Sequence, residues 1–233
     1  MSYTESIKRP FTNSKVLGIV IAFYFVANAI SVGSIILDSS EELTPIKIGA
    51  LLLSMLITLI PIGYSVMCAK TAHLESLPKF TNIKRLFTLG TGTMAIGIIY
   101  SIPILIFIYV VILSMDLTSF MVAGPSFESI PNLILFFLLM LATILLIPIA
   151  LVRYVKEESF IKAFNLNIII KKIFTKKYLL TFILAGVYTI LVSLIVAYLN
   201  IVTQSTIILP WLFSAVSSTL IAITIMTMYG KAV

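Results

Sequence analysis

The sequence of 233 residues has few charged residues, one histidine and one cysteine. Charged residues make up 11% of the chain and hydrophobic residues 60%, whereas soluble domains have about 25% and roughly 45–50%. So few charges cannot cover a water-facing surface, which excludes a soluble enzyme, a disulfide-rich secreted domain and a disordered protein. The mean hydropathy of +1.16 indicates an all-α integral membrane protein.

The scarcity of reactive side chains also limits the chemistry. His73 and Cys68 are each alone, so we predict no metal site, no disulfide, no cofactor and no catalytic residues. Glu157 and Glu158 resemble the paired glutamates of intramembrane CAAX-type proteases. Those enzymes also need an arginine three residues after the pair and histidines within spans, and this chain has neither. An enzyme is therefore the less favoured class.

Long apolar runs dominate what is present. A membrane helix needs about 20 apolar residues, and six runs are long enough to cross a bilayer. They are 16–37, 48–68, 87–113, 132–152, 178–199 and 207–229. We treat residues 1–233 as a single membrane domain with six transmembrane helices, and we expect short interfacial helices in the cytoplasmic segments 70–85 and 156–177. In the second segment Leu166, Ile169, Ile170 and Ile173 form an apolar stripe at helical spacing, which suits a helix lying at a membrane surface.

The charges between the spans alternate in sign along the chain. With both termini inside, fifteen of the sixteen basic residues are cytoplasmic, whereas acidic residues dominate the outer loops: Asp38, Glu41, Glu42, Asp116 and Glu128. Because cytoplasmic loops retain Lys and Arg, the chain is predicted to be a multi-pass protein of the cytoplasmic membrane. The net charge of +7 is then a topology signal and predicts no nucleic-acid partner. The first span also resembles a signal peptide, but it continues to Leu37 and is interpreted as uncleaved.

A six-residue pattern occurs three times, at residues 7–12 (IKRPFT), 83–88 (IKRLFT) and 170–175 (IKKIFT). Each copy precedes an outward-going helix, which suggests three parallel hairpins; duplication and convergence explain the pattern about equally well. The basic pair is suited to anionic head groups, and the threonine to capping a helix. We assign nine basic residues to the membrane interface: Lys8, Arg9, Lys84, Arg85, Arg153, Lys171, Lys172, Lys176 and Lys177.

Within the spans the polar groups are hydroxyls and amides, with no ionisable acid or base in any span interior. This composition disfavours a proton-coupled pump or a voltage sensor. Small residues at helix-packing spacing, among them Ala29 with Gly33 and Thr93 with Gly97, predict close helix–helix contacts. Three prolines, Pro61, Pro103 and Pro148, are expected to bend their helices.

Several short motifs resemble a family of uncharacterised prokaryotic, mainly archaeal, membrane proteins known as a domain of unknown function. The likeness covers roughly residues 48–230. The matching residues are Gly63-Tyr64, Leu77-Pro78-Lys79-Phe80, Gly90, Tyr100-Ser101-Ile102-Pro103, Pro148-Ile149-Ala150, Arg153-Tyr154, Ala163-Phe164 and Tyr178-Leu179. The family is distantly similar to the membrane domain of some glycerophosphodiester phosphodiesterases, whose catalytic barrel this chain lacks. The resemblance implies the topology and supplies no catalytic residues.

Three functions remain open from the sequence. The first is a permease-like or transporter-associated membrane subunit, paired with a cytoplasmic ATPase or another protein partner through the second and fourth loops. The alternative is a non-transporting scaffold or lipid-organising protein that binds anionic head groups with its basic segments. A membrane enzyme acting on lipid head groups is the third and least favoured.

Overall fold

The computed structural model describes residues 3–37, 44–80, 82–114, 130–203, 206 and 208–233. Within these ranges every regular element is helical, and six helices are long and apolar enough to cross a membrane. The predicted fold class is therefore confirmed. The acidic residues of the predicted outer loops lie outside the described residues.

The described residues form eight α-helices. In chain order they are α1 (Tyr3–Lys8), α2 (Ser14–Leu37), α3 (Pro45–Lys70), α4 (Ile83–Ser114), α5 (Ile130–Glu157), α6 (Leu166–Ile173), α7 (Lys176–Val202) and α8 (Ile208–Ala232). Two 3₁₀ turns, Arg9–Thr12 and Ile161–Phe164, connect α1 to α2 and α5 to α6. The spanning helices are α2, α3, α4, α5, α7 and α8, and most extend beyond the predicted apolar runs into flanking polar residues.

Side-chain caps explain several helix starts. The Thr44 hydroxyl accepts a hydrogen bond from the Lys47 amide at 3.4 Å, with Pro45 in the first turn of α3. The Thr175 hydroxyl accepts from the Tyr178 amide at the start of α7, which confirms the predicted cap for the third copy of the six-residue pattern. In the first copy the neighbouring Asn13 caps α2 instead, by accepting from Val16.

The spanning helices pack around α3 and α8, which contact each other. Helix α3 also contacts α2, α4 and α5, and α8 also contacts α2, α5 and α7. The consecutive pairs α2–α3, α4–α5 and α7–α8 are all in contact, an arrangement compatible with three hairpins. Duplication of a hairpin stays a prediction.

Both described termini lie at the same end of the bundle, together with fifteen of the sixteen basic residues. We call this the basic end. The other basic residue, Lys47, lies in the first turn of α3 at the opposite end. Which side of a membrane the basic end faces stays a prediction.

Two glycines allow α3 and α4 to cross with their backbones in contact. A Cβ at Gly63 would lie 1.9 Å from the Leu86 carbonyl oxygen, and one at Gly90 would lie 1.9 Å from the Leu59 carbonyl oxygen. Only glycine fits at such an approach. The predicted close contacts at Gly33 and Gly97 are wrong for the part of the chain that the structure describes, because a Cβ at either position would meet none of its atoms within 4 Å.

Burial is concentrated in the basic half of the bundle. In α3 the buried residues begin at Leu59, whereas the consecutive residues Leu51, Leu52 and Leu53 are 44%, 57% and 49% exposed. Three consecutive residues cover more than half of a helix circumference, so the start of α3 has few protein neighbours. The basic half is therefore packed by protein, and the opposite half presents apolar side chains to its surroundings.

The two predicted interfacial segments differ. The described residues between Lys70 and Ile83 form turns and extended chain instead of the expected helix. Pro78 disfavours the α conformation at Leu77, where the chain is extended. The segment 156–177 contains α6, where Ile169 and Ile173 are buried and Leu166 and Ile170 are exposed. Half of its predicted apolar stripe thus packs on protein, and its place at a membrane surface stays a prediction.

Candidate anion-binding site at the basic end

Arg9 fixes the N-terminal segment to the bundle. Its side chain is 1% exposed, and its guanidinium nitrogens donate to main-chain oxygens of Cys68 at 2.8 Å, Thr71 at 2.6 Å and Ser76 at 3.3 Å. It also donates to the hydroxyls of Thr71 and Thr227. One cation therefore holds together the end of α3, the following turn and α8.

The partners of Arg9 fit a guanidinium. Cys68 lies in the last turn of α3, where unpaired carbonyls carry partial negative charge, and an arginine offers five donors in a fixed plane. Burial lowers the pKa of Arg9, but arginine starts so far above neutrality that it stays charged. Its donors are used within the protein, so Arg9 is a structural cation in this fold.

Glu158 forms a second polar contact between helices. It follows α5 in a left-handed conformation, with φ 49°, and its carboxylate accepts hydrogen bonds from Lys70 and, at 2.7 Å, from Arg85. These bonds connect the ends of α3 and α5 to the start of α4. The hydrogen bond and charge of Lys70, with the charge of Arg85, lower the pKa of Glu158.

Beside these contacts an open cleft of about 460 Å³ lies where α3, α5, α7 and α8 meet. We call it the lysine cleft. Four lysines, one histidine and one tyrosine line it together with small residues: Tyr3, Ala69, Lys70, Ala72, His73, Lys156, Lys177, Gly230 and Lys231. No carboxylate is among these lining residues.

The floor of the lysine cleft depends on Gly230 in α8. A Cβ there would lie 2.3 Å from the Ala69 carbonyl oxygen, so glycine lets α3 and α8 approach closely. The Gly230 carbonyl oxygen accepts a hydrogen bond from Lys156 Nζ at 2.8 Å. Lys177 Nζ donates to the Lys231 carbonyl oxygen. Both ammonium groups are thereby fixed beside the cleft while keeping further donors.

Carboxylates near the cleft pair with only two of its lysines. Glu158 contacts Lys70, and Glu5 lies 3.9 Å from Lys231. Among the described residues neither Lys156 nor Lys177 has a carboxylate within ion-pair distance. The charges of Lys172 and Lys177 also repel that of Lys156. The cleft therefore carries uncompensated positive charge.

The four lysines of the cleft differ in the end of the helix at which they lie. Lys70, Lys156 and Lys231 lie in the last turns of α3, α5 and α8, where a cation is favoured by the helix dipole. Lys177 instead lies in the first turn of α7, where the dipole and the free amides disfavour a cation. A bound anion would relieve both the repulsion among the lysines and this unfavourable position.

The nine predicted interface residues are distributed over several roles. Of these, Lys177 lines the lysine cleft. Arg9 is buried, Arg85 contacts Glu158, Arg153 is 6% exposed and contacts Glu157, and Lys172 donates to the main-chain oxygen of Val233. Lys8, Lys84, Lys171 and Lys176 are exposed, and their contact with lipid stays a prediction.

Of the polar residues that line the lysine cleft, the sequence analysis identified Lys177 and missed five: Tyr3, Lys70, His73, Lys156 and Lys231. A signal was present, because Lys70, Lys156 and Lys231 each end an apolar run that finishes on the predicted inner side. Adjacent helix ends would bring such lysines together. The sequence did not say which helices are neighbours, and the contact of α3 with both α5 and α8 decides that.

An apolar groove of about 320 Å³ lies between α4, α5 and the segment 164–166 at the start of α6. Tyr100, Pro103, Thr143 and Phe164 are among its lining residues. Tyr100 donates to the Ala163 carbonyl oxygen at 2.7 Å, and its ring stacks on Phe164. This groove has little polar surface and suits no charged ligand.

The described residues contain no group of three or more side chains that could hold a metal ion. In comparisons with known proteins, the family described as "Protein of unknown function (DUF4013)" matches residues 48–202. No curated protein and no solved structure matches the chain. The matched range includes Lys70, Lys156 and Lys177, whereas Tyr3 and Lys231 lie outside it.

Proposed function

The chain belongs to the DUF4013 family, and we propose that it is a lipid-organising membrane protein that binds phosphate-bearing anions in the lysine cleft. The observation that carries this proposal is the pair Lys156 and Lys177, two ammonium groups beside one cleft without a carboxylate partner among the described residues. Phosphate groups accept several charge-assisted hydrogen bonds at once, which suits such a pair.

The position of the cleft supports a lipid as the source of the anion. The cleft lies at the ends of four spanning helices, the level at which head groups meet a membrane protein. If the basic end faces the cytoplasm, as the charge distribution favours, it faces a leaflet rich in anionic lipid. Exposed Lys171 and Lys176 would add attraction to that surface without forming a defined site.

Retention of lipid by the purified protein tests the proposal. Full-length protein extracted from membranes of mixed phospholipids should retain anionic phospholipid, measured by native mass spectrometry. The double variant Lys156→Gln, Lys177→Gln should retain several-fold less, because two charge-assisted contacts are lost. The matched control Lys171→Gln, Lys176→Gln removes equal charge outside the cleft. It weakens the general attraction to an anionic surface but leaves the cleft intact, so the lipid retained after purification should stay close to the wild-type amount. Equal retention by both double variants would contradict the proposal.

A transporter-associated subunit is a second candidate, favoured by the difference between the two halves of the bundle. Backbone contact of α3 with α4 and α8 packs the basic half tightly, while side chains of the opposite half are more exposed. A transporter closed on one side has such an arrangement. Co-purification of an ATPase, or flux of a solute into reconstituted vesicles, would support this candidate, and the absence of both would contradict it.

A further inference from the structure

The charges around the lysine cleft also indicate which kind of phosphate it accepts. Resting on the proposed function, we infer that the site selects a phosphomonoester, which carries two negative charges at neutral pH, over a phosphodiester, which carries one. The ligand is thus a terminal phosphate, borne either by a lipid head group or by a small soluble molecule. The selection arises from the chain's own ion pairs.

The two glutamates that pair with lysines of the cleft take one lysine each. Glu158 accepts from Lys70 and also from Arg85, and Glu5 lies 3.9 Å from Lys231. Lys156 and Lys177 bond instead to neutral carbonyl oxygens, those of Gly230 and Lys231. The charges of these two ammonium groups therefore remain for a ligand to neutralise. A ligand with one negative charge would neutralise one of them and leave the other uncompensated.

The hydrogen-bonding groups favour the same ligand. An ammonium has three donors and no acceptor, and Lys156 and Lys177 each use one donor on a carbonyl. A phosphomonoester presents three terminal oxygens, enough for both lysines and a third donor. A phosphodiester presents two terminal oxygens, and its second ester arm needs space in a cleft of about 460 Å³.

Charge selection has a distinct pH signature. The second ionisation of a phosphomonoester has a pKa of about 6, so acidification removes one ligand charge while the lysines stay protonated. At pH 7.5 we expect the monoester to bind about tenfold more tightly than the diester, since one extra ion pair near a protein surface has that order of effect. At pH 5 the preference should disappear.

The test uses the full chain in nanodiscs of phosphatidylcholine. In the lipid arm the discs contain either phosphatidic acid, a monoester, or phosphatidylglycerol, a diester, and bound lipid is counted by native mass spectrometry. In the soluble arm glycerol 3-phosphate and dimethyl phosphate are titrated into discs of phosphatidylcholine alone. Preference in the lipid arm only identifies a head group, and preference in the soluble arm identifies a free phosphomonoester; either result supports the inference.

Lys177→Gln supplies the variant, because Lys177 is exposed and its loss should not affect folding. It should lower monoester binding to the level of the diester, whereas the neighbouring control Lys176→Gln should keep the preference. Equal binding of monoester and diester by wild type at pH 7.5 would overturn the inference and leave the proposed function intact. Absence of binding by all four probes would overturn both.

Discussion

The two halves of α3 differ in how far neighbouring helices bury their side chains. Near the basic end Tyr64, Val66, Cys68 and Ala69 are at most 1% exposed, whereas Leu52 in the opposite half is 57% exposed. The more exposed half has the more apolar sequence, with the run Leu51–Leu53, whereas the buried half contains Tyr64, Ser65 and Cys68. The difference lies in what each half contacts: protein in the basic half, and the surroundings of the bundle in the other.

This comparison explains where a site can form. A binding site needs side chains held at fixed positions, and the basic half supplies them through backbone-close helix contacts, Arg9 and the Glu158 ion pairs. In the opposite half contacts such as Phe107 with Phe136 are present, but many side chains, among them Leu51–Leu53, are largely exposed. Substitutions should therefore be costly in one half and tolerated in the other.

The largest effect is expected for Arg9→Met. This change leaves the main-chain oxygens of Cys68, Thr71 and Ser76 without their donor in a buried site, and it should lower the free energy of unfolding by about 4 kcal/mol. Unfolding in mixed micelles measures the change. The adjacent Lys8→Met is the control, since Lys8 is exposed. If Arg9→Met lowered the free energy of unfolding no more than Lys8→Met does, the structural role of Arg9 would be contradicted.

Equivalent truncations in the two halves of α5 compare the halves directly. Ile149 is fully buried and Leu135 is 45% exposed. Ile149→Ala should cost about 3 kcal/mol, because it leaves a cavity in packed protein. Leu135→Ala should cost less than about 1 kcal/mol, because lipid can fill the space. Similar losses at both positions, measured by the same unfolding assay, would remove the distinction between the halves.

Substitution of two glycines of α4 should change the free energy of unfolding by a smaller amount, and it compares a closely packed position with an open one on the same helix. Gly90→Ala introduces a Cβ against the Leu59 backbone and should lower the free energy of unfolding by about 2 kcal/mol. Gly97→Ala, two turns later in open space, should be neutral or stabilise by up to about 1 kcal/mol. Disulfide cross-linking of α3 to α4 would report the separation, and stable Gly90→Ala protein with unchanged cross-linking would contradict the close crossing.

The smallest effect concerns pH. Because the pKa of Glu158 is lowered in the folded protein, its ion pairs stabilise the fold at pH values above the unfolded pKa of about 4.3. That contribution is lost as the pH falls through the folded value. Wild type should therefore melt slightly above Glu158→Gln at pH 7, with the difference vanishing in acid. A difference that persists unchanged at low pH would exclude the carboxylate as its source.

Much of the fold could be predicted from the sequence, because apolar length alone determines which segments can span a membrane. The sequence could not predict that Gly63 and Gly90 lie where α3 crosses α4. Gly97 has the same local spacing as a packing glycine, yet among the described residues no atom would lie within 4 Å of a Cβ there. Which glycine is used depends on the register of two helices, and that register is set by many weak contacts rather than by one motif.

The site was predictable only in part for a related reason. The six-residue pattern made Arg9 and Arg85 look equivalent, but one is buried among carbonyls and the other is exposed and paired with Glu158. Each arginine lies in a basic pair followed closely by a phenylalanine, so the local sequences are alike. The burial and the hydrogen-bond partners of the two arginines differ because residues from distant segments surround them. The lysine cleft likewise arises from four helix ends that are far apart in the chain.

The most direct test of the lysine cleft is a distance from its ammonium groups to phosphorus. Solid-state NMR on ¹⁵N-lysine protein in bilayers containing phosphatidic acid would measure ³¹P–¹⁵N dipolar couplings. The lysine cleft predicts couplings for separations of about 4 Å, the distance of a direct ion pair, that disappear in Lys156→Gln, Lys177→Gln and persist in Lys171→Gln, Lys176→Gln. Couplings that survive the first double variant and vanish in the second would place the phosphate on the exposed lysines and contradict the site.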